Sequence, residues 1–323
     1  MSQSPSPPPV PDRNGSDLSS SAPDQPGPDR SNLEAYLFLT ATTLCWAGNA
    51  VAGRMAVGEV SPMLVVLGRW TGVMLLCFVF LRPRIKEDWP VLKRHLPFLA
   101  ALGTLGYTGF NALFYVAAHS TTAINIGILQ GSTPIFVLVG TMLFFRMSVG
   151  PLQAVGVVLT LSGVTLVAAQ GSWERLTALA FNQGDLLMLL ASLLYAAYTL
   201  ALRKRPAISP LSTFAVMAAS AFVVSLPIAG FESLSGHSQM PTPKGWIIVG
   251  LIALFPSFIA QILFIQGVDR IGPGRAGVFM NLVPVFAAVM AVIVLGEQFH
   301  LYHAIALVLV LGGIYLSERY KRL

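Results

Sequence analysis

The feature that most constrains this chain is a succession of ten apolar runs, each close to the length that crosses a bilayer: 33–53, 63–81, 96–117, 122–145, 151–169, 185–202, 211–230, 245–267, 274–295 and 301–317. About 18 or more consecutive apolar residues is the signature of a membrane-spanning helix. Within hydrocarbon a backbone must satisfy its own hydrogen bonds, so each run is expected to be helical. Composition agrees: 54% of residues are hydrophobic and 11% are charged, against about 25% charged in soluble domains. The expected class is an all-α membrane protein with ten transmembrane helices, embedded in the lipid bilayer. Residues 1–32 are rich in Pro, Ser and Asp, which predicts a disordered tail. They lack the basic start and short apolar centre of a cleaved signal peptide. Cys45 and Cys77 both fall inside spans and read as small packing residues rather than a disulfide.

Charge supplies orientation. Of the 20 Lys and Arg residues, Arg54, Arg175 and Lys244 lie in loops on one side, and Arg69 and Arg275 lie inside spans. All the others fall on the side of the two termini, including Arg319, Lys321 and Arg322 in the basic C-terminus 319–323. Cytoplasmic segments carry the excess of Lys and Arg, so both termini are expected in the cytoplasm. The net charge of +6 is thereby a topology signal, and no nucleic-acid partner is expected.

Sliding the chain by 150 residues aligns its halves. Phe114 meets Phe264, Gly127 meets Gly277, Pro134 meets Pro284, Phe136 meets Phe286 and Gly163 meets Gly313. Five spans is an odd number, so the second copy enters the membrane from the other side. The expected architecture is two inverted five-helix repeats, an arrangement used by secondary transporters because exchanging the conformations of the halves moves an opening across the membrane. Duplication for packing alone is the competing reading. Each of Pro134 and Pro284 removes a backbone donor and frees a carbonyl one turn earlier, so both are expected to kink their helices.

The run ALFYVAAHSTTAINIGILQGSTPIFVLVGTMLFFRMSVGPLQAVGVVLTLSGVTLVA (112–168) and its echo LFIQGVDRIGPGRAGVFMNLVPVFAAVMAVIVLGEQFHLYHAIALVLVLGGIYL (263–316) resemble the EamA-type domain of the drug/metabolite transporter superfamily. The most specific pieces are the two prolines, Gly184-Asp185, and Leu295-Gly296-Glu297. The resemblance divides the chain into repeats at 33–170 and 184–318. It implies a carrier exporting small metabolites such as amino acids from a bacterial inner membrane, in style similar to the aromatic amino-acid exporters, though sugar-phosphate carriers belong to the superfamily too. The first copy departs from the pattern, with Phe145-Arg146-Met147 in place of a Gly-Glu pair, so a role for that glutamate passes only to Glu297.

Polar and aromatic residues at helical spacing mark faces that avoid lipid. The third helix offers Tyr107, Asn111 and Tyr115, and its counterpart the eighth offers Ser257 and Gln261. The first offers Thr42, Trp46 and Asn49, and the sixth Tyr195, Tyr198 and Thr199. Beside the matched prolines stand Gln130 and Asn281, where the copies differ. These are the candidate substrate contacts. The alternative is that they bond helix to helix.

Arg69, aligned on Met217, is an intramembrane cation that could seat a carboxylate bidentately or snorkel to the surface. All 14 carboxylates lie in the tail, in loops or at helix ends, Asp185 among them, which favours facilitated movement over a carboxylate proton relay. His303, one turn into the last helix, offers no clear switch.

IGPGRAG (271–277) spells a G-x-G-x-x-G, but no strand precedes it, so no dinucleotide cofactor is expected. No hydrolase or metal motif is present in the sequence either. A small-molecule substrate, no cofactor, no metal and a monomer are the expectations, with a channel, a scaffold or a membrane enzyme as the other classes.

Overall fold

In a computed structural model, residues 30–145, 150–178, 181–236 and 238–319 are described. The tail up to residue 29, Arg146 and Met147 of the departing motif, and the last four residues lie outside them. The apolar runs are helices: α1 (Arg30–Met55), α2 (Pro62–Phe80), α3 (Arg82–Gly103, continued by Thr104–Gly109 and Phe110–Ala117), α4 (Ala123–Gln130 and Thr133–Phe145) and α5 (Pro151–Ala168). The second set is α6 (Gln183–Ala201), α7 (Pro210–Leu234), α8 (Pro243–Ile252, continued by Ala253–Ile259 and Ala260–Ile271), α9 (Pro273–Phe279, Leu282–Met290 and Ala291–Leu295) and α10 (Leu301–Arg319). Among the described residues there is no strand; nine helices are long and apolar enough to cross a membrane, and a tenth apolar helix, Leu301–Ser317, is slightly shorter.

The sequence sets the helix starts locally. Pro62, Pro151, Pro210 and Pro243 stand in first turns, where a missing N–H costs nothing. Side chains of Thr122, Asn182 and Thr242 accept from the first free backbone amides, satisfying donors that a helix cannot pair internally. Gly272 turns α8 into α9 at a φ of 80°, a left-handed conformation suited to glycine. Arg275, placed inside the ninth span by the sequence boundaries, stands in its first turn and is exposed.

The repeat is visible in the backbone. Helix α4 breaks between Gln130 and Thr133, and α9 breaks between Phe279 and Leu282, as expected of the matched prolines. Beyond that expectation, α3 and α8 each contain a π-helical turn, at Thr104–Gly109 and Ala253–Ile259, nearly superposed by the offset of 150. Wider turns leave carbonyls short of partners, and side chains fill in: Asn111 Nδ2 donates to Tyr107 O and the Ser257 hydroxyl to Ile252 O.

The packing obeys the same exchange. Helix α1 lies against α8 and α9, and correspondingly α6 lies against α3 and α4; α7 packs on α3 as α2 packs on α8. The pairs α2–α7, α4–α9 and α5–α10 exchange into themselves and so straddle the pseudo-two-fold axis. At the α5–α10 crossing, a Cβ on Gly156 would strike Gly313 O, and one on Gly163 would lie 2.9 Å from Ala306 O. Glycine there is a condition of close helix approach.

Candidate functional site

One face of the molecule carries the start of α1 and the end of α10, and is called here the terminal face. Between the two repeats lies a cavity of about 280 Å³. Its position is read from the broken helices. On α4 it touches Gln130 to Leu138, the half nearer the terminal face, while Ala123 to Leu129 are buried. On α9 the lining runs from Gly277 to Pro284, again the half nearer that face. The matched glycines show the asymmetry directly. A Cβ on Gly127 would lie 2.5 Å from the Cβ of Ala287, whereas one on Gly277 would meet nothing within 4 Å. The repeats are packed together towards the opposite face and parted towards the terminal face.

Hydrogen bonds between the repeats hold the opposite face shut. Ser61 N donates to Gln239 O (3.1 Å), Thr242 N to Glu59 O (2.9 Å) and Gln239 Nε2 to Gly58 O (2.6 Å). Lys244 pairs with Glu59 at 3.0 Å; the Thr242 hydroxyl and that ammonium hold the Glu59 carboxyl below its ordinary range. Glu297 accepts from the amides of Ala123 (2.8 Å) and Ile124 (3.0 Å), capping α4 from the other repeat.

Asp185, expected at a span limit, does open α6, but it is fully buried, bound by Thr121 and by the Asn125 amide. His303 is likewise buried and meets Asn125 Oδ1 at 3.2 Å. Together these residues join α4, α6 and α10, a role their positions in the chain did not announce.

The cavity wall brings together Trp46, Asn49, Arg69, Tyr107, Asn111, Gln130, Tyr195, Gln261 and Asn281, with Pro134 and Pro284 at its bends. Three residues of the same stripes stand elsewhere. Tyr115 lies behind Arg69, one turn nearer the closed face, and Tyr198 is buried against Gly106 and the Tyr107 ring. Thr42 bonds helix to helix, its hydroxyl donating to Ala260 O. Trp46 does both, lining the cavity and donating to Pro256 O at 3.1 Å. Unanticipated wall residues are Trp70, Phe110 and Phe214; Phe110 follows Tyr107 by three positions, a spacing that marks it as a neighbour on one face.

Arg69 does not snorkel. It is 7% exposed, and its Nη1 donates to Asn111 Oδ1 (2.7 Å), Tyr115 Oη (2.8 Å) and Asn49 Oδ1 (3.2 Å). Asn111 is oriented for this by its bond to Tyr107 O, and Tyr115 Oη in turn donates to Asn49 Oδ1 at 2.9 Å. All three partners are neutral. Arg69 Nε has no protein partner, and the guanidinium carbon lies 5.2 Å from the centre of the Trp70 ring. Trp70 stacks on Tyr107 at 4.7 Å and 4°.

Comparison with known proteins decides the family. The model of the EamA-like transporter family matches the chain twice, over residues 33–169 and 182–319. This chain belongs to the EamA-like transporter family. It is 27% identical to the uncharacterized transporter YyaM of Bacillus subtilis, over 88% of this chain and 93% of that one. It is equally 27% identical to YetK of the same organism, covering 91% and 89%. The uncharacterized inner membrane transporter YedA of Escherichia coli K12 is 25% identical, covering 89% and 91%. A solved structure described only as the crystal structure of a protein aligns with TM-score 0.60 at 19% identity, covering 87% of this chain and 95% of that one, a likeness of fold. The EamA-like fold accounts for the duplicated, all-helical, multi-pass membrane architecture.

Proposed function

We propose that this EamA-like protein is a secondary carrier that exports small metabolites of amino-acid size with an apolar or aromatic body, amino acids first among them, by alternating access across a bacterial inner membrane. The observation that carries the reading is the cavity between inverted repeats, parted at one face and sealed by inter-repeat bonds at the other. A continuous pore, the simplest channel, has no such seal. The exposed bases Arg82, Arg84, Lys86, Lys93 and Arg94 stand on the terminal face, which supports placing that face and both termini in the cytoplasm. The cavity as found then opens inward, ready to load cytoplasmic substrate. Among the described residues no Asp or Glu lines it, which supports movement down the substrate gradient over a carboxylate proton relay. The six aromatic wall residues favour a ring over the bare polyol of a sugar phosphate.

The test is uptake of labelled amino acids into liposomes containing the purified chain. Saturable uptake, competed by unlabelled substrate, is expected. Absence of flux with amino acids, aromatic acids, sugar phosphates and nucleobases alike would sink the proposal.

A further inference from the structure

Among the described residues, the wall of the cavity holds one guanidinium and no carboxylate. Three neutral acceptors, from α1 and α3, all meet Arg69 at Nη1 and leave Nε without a partner. A buried cation normally finds an opposite charge. Here the hydrogen bonds all fall on Nη1, Nε is buried and unpartnered, Arg69 itself lines the cavity, and no carboxylate among the described residues meets it. A guanidinium with an unpaired edge is what a carboxylate pairs with in fork geometry.

We infer that the ligand is a net anion: an aromatic carboxylate whose charged end sits on Arg69 and whose ring lies among Trp46, Trp70, Tyr107 and Phe110. This rests on the carrier reading and moves the preferred ligand within it from the amino acid to the deaminated acid of the same shape. The zwitterion of an amino acid brings an ammonium beside its own carboxylate, close to the guanidinium, where like charges repel in a medium less polar than water. Asn49 Oδ1 already accepts from both Arg69 and Tyr115, and no carboxylate among the described wall residues is there to meet the ammonium. A deaminated acid of the same shape meets neither penalty. With about 280 Å³ available, one ring on a short acid chain suits the space better than a drug-sized molecule, for which sites run to about 300–1,000 Å³.

The experiment uses four ligands that share one ring and differ in charge: 3-phenyllactate, 3-phenylpropionate, phenylalanine and phenylethylamine. Binding to the full chain in detergent is followed by calorimetry at neutral pH, and flux in liposomes is followed in parallel. Both acids are expected to bind about tenfold or more tighter than phenylalanine, with phenylethylamine weakest, because the acids form the charge-assisted bidentate pair with Arg69 and bring no like charge beside it. Arg69→Gln is expected to erase the order among the four, and Arg69→Lys to keep the order at lower affinity.

Phenylalanine binding as tightly as either acid would overturn the inference, with the amides of Gln261 and Asn281 then meeting the ammonium. So would failure of all four to bind. The wild-type series stands without the variants if Arg69→Gln does not fold. Anion-selective binding without flux would instead sink the carrier reading and leave this inference standing.

Discussion

Gly127 and Gly277 are the same residue of the repeat in two environments, so alanine at each should push the protein in opposite directions. At Gly127 the added Cβ falls 2.5 Å from the Ala287 Cβ, 0.9 Å inside the 3.4 Å where ordinary contact begins. Neither side can yield by rotating, because both are backbone-fixed methyls. Overpacking of this kind costs about 1–3 kcal/mol, and the cost falls only on the state sealed at the opposite face. The gain in helix propensity of alanine over glycine, about 1 kcal/mol, applies to both states and cancels. The sealed-to-open ratio at that face should therefore fall by a factor of roughly 5 to 150. Gly277→Ala meets open space here; in the exchanged state Val137 stands in the place of Ala287, so this variant should favour the present state. Spin labels at the symmetry-related exposed pairs His119 with Val294 and Asp269 with Phe144 read the two faces by pulsed distance measurement. Gly127→Ala should lengthen the first distance and shorten the second, and Gly277→Ala should leave the present distances dominant. If both variants shift the distances in the same direction, or neither shifts them, the two repeats do not exchange conformations.

The closed face gives two further expected outcomes. Asp185→Ala strips Thr121 and Asn125 of their acceptor in a buried site and should destabilise the protein by about 1–3 kcal/mol; thermal unfolding in detergent checks this, and an unchanged midpoint refutes the role given to Asp185. Glu59 titrates below its ordinary value of 4.5 because of Thr242 and Lys244. Its contribution is therefore full above that ordinary value and fades as pH falls through the lowered one. Glu59→Gln should flatten the pH dependence of closure at that face in the acid range, seen as a label distance no longer responsive to acid.

The spans and the repeat are legible in the sequence because both are patterns of spacing. Apolar length gives the helices, and the 150-residue offset carries Gly127 onto Gly277 and Pro134 onto Pro284 without reference to the fold. Helical periodicity likewise finds most of the cavity wall, since Tyr107 and Asn111 share a stripe. The same stripe overreaches at Tyr115, because periodicity fixes a face and leaves open where along the helix the cavity ends. The π-helical turns are hidden, as Thr104–Gly109 reads like any helix carrying glycine. Arg69 is ambiguous in sequence for a plain reason: what prevents its snorkelling is Asn49, Asn111 and Tyr115, which arrive from two other helices. Asp185 and His303 sit at helix ends in the chain, and only the docking of α4 and α10 buries them.

Whether the two repeats alternate a single site between the faces is read out by counterflow: liposomes holding the protein and loaded with unlabelled substrate take up a labelled trace from outside. Internal substrate is expected to accelerate labelled uptake and to drive transient accumulation above the outside concentration, because a loaded site returns faster than an empty one. Labelled flux that ignores the internal substrate and rises linearly with concentration would contradict alternation.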